Sequence, residues 1–258
     1  MRCLYLLLII NFFLVSCEEV IDLELNSSSP LYVIDAELSN LNAQQNIYIS
    51  ESVSFNEPYS KKPIEDATVG VMNEKGEYFP FEHVSNGIYR SYFIPQSNIR
   101  YDLNVKINNK SFISSSYMND YIDVDSLGFV EDVVFKDTVY SVTLKFMDPI
   151  NESNYYKYNI SVNGRPNEFN RVFNDKYNDG LFVTHQLSGN RDDFQLGDSI
   201  VVTRYIIDKE VYKYWNDVTS INPGSAAPAN PLSNISNGAL GYFSVSSAKK
   251  YNFILKMD

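Results

Sequence analysis

Residues 99–112 read IRYDLNVKINNKSF. Tyr101, Leu103, Val105 and Ile107 alternate with Asp102, Asn104, Lys106 and Asn108. An apolar side chain at every second position turns one face of a strand to a core and the other to water. Asn108-Asn109-Lys110 supplies turn residues, and Ser111-Phe112-Ile113-Ser114 returns as a partner strand. This stretch decides for a half-buried antiparallel sheet.

The same period runs toward the N-terminus. Strands are expected over 31–38, 46–53, 67–72, 77–84 and 88–93. Asn73-Glu74-Lys75-Gly76 and Ser85-Asn86-Gly87 separate them, and Asn-Gly is a favoured hairpin pair. About seven short strands with frequent turns predict a β-sandwich over residues 30–118. Ala67-Thr68-Val69, Gly76, Gly87-Ile88-Tyr89 and Tyr101-Asp102-Leu103-Asn104-Val105 resemble the motif set of transthyretin-like or carboxypeptidase-regulatory-like domains. That resemblance implies an immunoglobulin- or transthyretin-like sandwich and carries no chemistry.

Toward the C-terminus, the polar and acidic stretch 117–125 marks a boundary, and residues 119–258 are expected to form a second β-rich domain. Strands are predicted over 139–146, 156–162, 168–173, 181–186 and 199–207, the last a nearly continuous apolar run. The period then changes. Val211, Tyr214, Trp215 and Val218 fall on one helical face, predicting a helix over about 208–219 with Asp208 as its N-cap. Trp215, the chain's one tryptophan, is expected to pin that helix to the sheet, with ligand stacking as the rival role. Residues 221–236 read as a Pro-rich loop, and 239–245 and 251–257 as closing strands. The fold class is mainly β with one short helix.

The leader says where the chain goes. Arg2 precedes a short apolar run, and Leu14-Val15-Ser16-Cys17 follows. That run is shorter than the roughly 20 residues a spanning helix needs and has the layout of a signal peptide over 1–16. The tetrapeptide resembles a bacterial lipobox, which implies cleavage before Cys17 and lipidation of its thiol. Acyl chains contribute about 0.8 kcal/mol per buried CH₂, so multiple chains hold a protein on a membrane. The other cysteine, Cys3, leaves with the leader, so no disulfide is expected. Residues 17–29 form an acidic, Ser-rich tether. Glu18 and Glu19 resemble the export signal of surface-exposed lipoproteins in Bacteroidota.

Chemistry is sparse. The chain carries a net charge of −11 and shows no Lys/Arg cluster, which argues against nucleic acid and against anionic lipid as partners. The two histidines, His83 and His185, are expected to be half-exposed, and no Gly-x-Ser-x-Gly elbow occurs. Acidic pairs at Asp123/Asp125, Asp175/Asp179 and Asp192/Asp193 could serve a hydrolase only if held across a substrate. Asp175-Lys176-Tyr177-Asn178-Asp179-Gly180 partly resembles a calcium loop, with Tyr177 where Asp or Asn is expected and Gln186 in place of the Glu at position twelve. No catalytic residue and no cofactor beyond the Cys17 lipid is expected.

CEEVIDLEL at 17–25, VFNDKYNDG at 172–180, DKEVYKYWNDV at 208–218 and NPLSNISNGALGYFSVSS at 230–247 stand in the order found in a lipoprotein family of Bacteroidota. The chain resembles that family, known as domain of unknown function 4249 (DUF4249), over its mature length. The resemblance implies an accessory outer-membrane lipoprotein working beside a TonB-dependent transporter. It implies no activity. The loops around Asp175, Asp179, Trp215, Asn234 and Tyr242 are the candidate partner or ligand contacts. The expected function is therefore non-enzymatic: a lipid-anchored, surface-displayed accessory subunit, or alternatively a glycan- or peptide-binding module.

Overall fold

The hairpin read at 99–112 is present: Ile99–Ile107 pairs antiparallel with Lys110–Met118, and Tyr101, Leu103, Val105 and Ile107 are all buried. The structure, a computed structural model, describes residues 30–53, 61–189, 193–220 and 230–256. Cys17, its leader and the tether lie outside these residues, as do Asp192 and most of the Pro-rich loop.

In chain order the strands are β1 (Tyr32–Ser39), β2 (Gln44–Glu51), β3 (Lys62–Pro63), β4 (Thr68–Asn73), β5 (Tyr78–Ser85), β6 (Ile88–Tyr92), β7 (Ile99–Ile107) and β8 (Lys110–Met118). There follow β9 (Ser126–Val134), β10 (Asp137–Met147), β11 (Tyr155–Val162), β12 (Glu168–Asn174), β13 (Phe182–Leu187) and β14 (Ser199–Ile207). Helix α1 (Lys209–Ser220) and β15 (Leu240–Ile254) complete them. One large sheet runs β12-β11-β14-β15-β1-β2-β6-β5-β4-β7-β8, with β3 beside β2; a small sheet runs β13-β10-β9.

Strand β15 joins the two halves. Residues 240–246 lie parallel to β1, and 247–254 lie antiparallel to β14. The two closing strands expected from the sequence are one strand shared by two bodies. Where it passes between them its residues are small: Ser246, Ser247 and Ala248 are nearly or wholly buried. Gly241 has φ +88°, and a Cβ there would stand 2.2 Å from the Ile34 carbonyl oxygen. Only glycine lets β15 approach β1 this closely.

Two cores result. The sandwich core contains Ile34, Ala36 and Leu38 of β1, the inward face of β7, and Ile235, Ala239, Phe243 and Val245 from the far end of the chain. The chain therefore does not divide at one point, because residues 235–246 return to the first core. The second core lies between β11, β14 and the small sheet, and holds Val142, Leu144, Phe146, Tyr156, Tyr158 and Val202. Helix α1 packs over the outer face of the large sheet against β12, β11 and β15, with Val211 buried beneath it. Asp208 caps it as the sequence predicts: Oδ1 accepts the Val211 N–H at 2.9 Å, and Oδ2 accepts the Ser116 hydroxyl at 2.5 Å. Such a cap is worth about 1 kcal/mol.

Two departures from the sequence reading concern the small sheet. Strand β9 lacks apolar alternation because residues 131–138 of the β9–β10 hairpin are all exposed. Strands β12 and β13, which flank one loop, part company. The first pairs with β11 in the large sheet and the second with β10 in the small one.

Candidate functional site

The seam between sandwich and second core is built on Lys157, which lies 2% exposed on β11. Its Nζ donates to Glu37 Oε2 of β1, and the Tyr242 hydroxyl of β15 donates to the same oxygen. The ammonium lies 4.6 Å from the Trp215 ring centroid and 4.9 Å from that of Tyr205. Each desolvated cation–π contact is worth up to about 2 kcal/mol. Trp215 in turn stacks on Phe169 at 4.2 Å. Burial pushes the Glu37 carboxyl up, but the Lys157 charge and hydrogen bonds from Lys157, Tyr242 and Tyr205 outweigh it and hold its pKa below the usual value. Burial and the Glu37 charge raise the Tyr242 and Tyr205 phenols, which therefore stay protonated donors. Four strands and the helix thus meet on one ion pair.

Behind this seam Arg204 of β14 is wholly buried. Its Nε donates to the Tyr158 hydroxyl at 3.0 Å, its Nη1 donates to the Ile122 carbonyl, and its plane lies over Phe146 and Tyr156. Among the described residues no carboxylate pairs with it. Tyr158 and His185 Nδ1 are 2.8 Å apart. Because Arg204 donates to the Tyr158 oxygen, the phenol proton points to His185 Nδ1, which leaves the imidazole proton on Nε2. His185 corrects the sequence reading: it is 2% exposed and stacked on Phe173 at 4.0 Å. Burial, aided by the Arg204 charge, pushes its pKa down to about 3. It is a neutral hydrogen-bond acceptor. His83 is exposed and lies beside Tyr89.

The candidate loops land in different places. Asp175 and Asp179 are brought together with Asp148, one carboxylate oxygen of each lying within 4.8 Å of the others. Asp193 is exposed. Asn234 faces the sheet: its side chain exchanges two hydrogen bonds with the Phe243 backbone, at 2.8 and 2.9 Å, and its carbonyl accepts the Ser114 hydroxyl at 2.8 Å. Ser236 adds two bonds to Ile113, one from its N–H and one to its hydroxyl oxygen. The loop thereby occupies part of the free edge of β8, at Ile113 and, through Asn237, at the Ser111 carbonyl, where it blocks pairing with another chain. Tyr242 and Trp215 are spent on the Lys157 seam.

An open groove of about 590 Å³ lies on the sandwich, lined by Gly70, Met72, Tyr78, Asp102, Asn104 and Ser115 among others. Tyr78 is 57% exposed and sets the hydroxyl end of its ring over Gly70, where a Cβ would meet the hydroxyl at 2.2 Å. A flat aromatic ring rimmed by polar side chains can hold an amphipathic ligand face.

Glu37, Lys157, Arg204 and Asp148 were not singled out from the sequence. Arg204 had a signal, since a charge inside a doubly buried apolar run must find partners. Lys157 had none, because alternation places it on the outer face of β11.

The family model described as Domain of unknown function (DUF4249) matches residues 18–252, and the chain belongs to that family. No curated protein matches the chain.

Proposed function

We propose that this DUF4249 protein is a lipid-anchored outer-membrane subunit that binds rather than catalyses. It would be displayed on the cell surface and work beside a TonB-dependent transporter. The observation that carries this reading is the sequence Leu14-Val15-Ser16-Cys17-Glu18-Glu19, a lipobox with an acidic tether behind it. The fold is compatible with it. The Lys157 seam makes one body of the two cores, as a subunit that presents fixed surfaces requires. Two of the groups suited to acid–base work are spent inside: His185 is a neutral acceptor and Glu37 is ion-paired.

Crosslinking in the native outer membrane followed by affinity purification through this chain tests the partnership. A TonB-dependent transporter is expected among the crosslinked products. Its absence under conditions that recover other membrane complexes would sink the proposal. The glycan- or peptide-binding reading is favoured by one observation, the exposed Tyr78 ring over Gly70, and calorimetry against glycan and peptide panels tests it.

A further inference from the structure

The three carboxylates at Asp148, Asp175 and Asp179 come from two of the four links by which the chain crosses between the sheets. Asp148 begins the link from β10 in the small sheet to β11 in the large one. Asp175 and Asp179 belong to the link from β12 in the large sheet to β13 in the small one. The two links are already tied. The Asp148 N–H donates to the Leu181 carbonyl at 2.9 Å, and the Asn154 N–H donates to Asp175 Oδ2 at 2.6 Å. The Asn151 N–H donates to Asp179 Oδ1 at 2.8 Å.

What these bonds leave over points to a ligand. Asp148 is 2% exposed, and its Oδ1 accepts the Tyr156 hydroxyl, but its Oδ2 is buried without a hydrogen-bond donor. Asn154, 7% exposed and tied through its backbone to Asp175, likewise has a buried Oδ1 with no donor. Among the described residues no lysine or arginine ion-pairs with any of the three aspartates. A buried acceptor without a partner costs about 1–3 kcal/mol, and more when charged. Three converging carboxylates add mutual repulsion to that cost.

We propose that Asp148, Asp175 and Asp179, with Asn154 Oδ1, bind a divalent cation of the calcium type that clamps these two crossovers to each other. All the donors are hard oxygens, without a histidine or cysteine, which selects calcium or magnesium over zinc or copper. Calcium takes six to eight oxygens in flexible geometry, so it suits a set drawn from two loops whose exposed side, at Asp179, is open to water ligands. Magnesium demands a near-octahedral cage and fits this set poorly. Extracellular calcium modules bind at roughly 10⁻⁴–10⁻³ M, the range expected here.

The test uses the full chain stripped with chelator and titrated with calcium chloride, magnesium chloride and terbium chloride separately. Calcium at about a hundredfold over its Kd should raise Tm by roughly 5–10 °C. Magnesium at the same concentration should raise it far less. Tyrosine-sensitised terbium luminescence should appear, because the Tyr156 ring adjoins Asp148, and calcium should quench it. Asp179→Asn, at an exposed position, should keep the circular dichroism spectrum and weaken calcium binding tenfold or more. No Tm shift and no terbium signal up to about 10 mM metal would overturn the proposal, being well above the expected affinity range. So would an Asp179→Asn variant that titrates like the wild type, since the cation would then sit elsewhere.

Discussion

Lowering the pH should unload a defined part of the stability through His185. The imidazole has an ordinary pKa of 6.5 and is held at about 3 in the fold, first by burial and then by the Arg204 charge. Between those values the unfolded chain binds a proton that the folded chain refuses. Stability from this group is complete above pH 6.5 and is lost as pH falls toward 3. One pKa unit is worth about 1.36 kcal/mol, so going from pH 7 to pH 5 costs about 2 kcal/mol and going to pH 4 about 3 kcal/mol. Against a total stability of some 5–15 kcal/mol this is a large share.

The clean measurement is a difference. Burial raises the carboxyls of Asp148 and Asp208 above their usual values, so their contribution to stability changes with pH in the opposite sense. His185→Gln keeps an acceptor for the Tyr158 hydroxyl and has no charge to gain. Urea unfolding of both proteins at pH 7, 5 and 4 cancels the shared carboxylates. The wild type should lose about 2 kcal/mol more than the variant between pH 7 and 5. Parallel pH profiles would refute the reasoning. So would an imidazole resonance that titrates near 6.5 in a folded His83→Gln background, where His185 is the remaining histidine.

Other changes should report on the remaining features. Glu37→Gln strands the Lys157 ammonium in its aromatic cage and should cost about 3 kcal/mol in urea unfolding, with Lys157→Met in the same chain restoring most of it; strictly additive losses would contradict the pairing. Gly241→Ala forces a Cβ onto the Ile34 carbonyl at positive φ and should cost about 2 kcal/mol or more, read as a fall in Tm. Tyr78→Ala should abolish any glycan or peptide heat seen with the wild type, and unchanged heat would move the ligand away from the groove. Cys17→Ala should leave an unprocessed precursor that takes no palmitate label, and a labelled variant would place the lipid on another residue.

What the sequence made legible follows from burial on one face. Strands β1, β7, β8 and β11 have a core on one side, and their alternation announced them. Strand β9 has little core on either side and β15 has neighbours on both, so alternation missed the first and broke the second in two. Pairing was less legible than presence. Nothing in 168–187 tells that Phe173 and Val183 lie in different sheets, because each segment reads only as a strand and the partner strands are distant in sequence. The return of 235–246 to the first core was hidden for the same reason: apolar residues specify burial without specifying which core.

The site divides along a similar line. Asp208 was readable as a cap because capping is local to one helical turn. Asp175 and Asp179 stood out as a pair within one loop, but the residue that gives them chemical interest is Asp148, some way upstream on another crossover. Its unpartnered oxygen becomes visible only when Tyr156 is seen to occupy the other. Lys157 was hidden because period-two reasoning assigns faces and then assumes that the polar face meets water. Here α1 and β15 cover that face, and an outward lysine becomes a buried charge that must be paired. A covered outer face therefore converts residues that read as solvated into the ones that hold the two halves together. In this chain those residues are Lys157 and Glu37, which the alternation had placed in solvent.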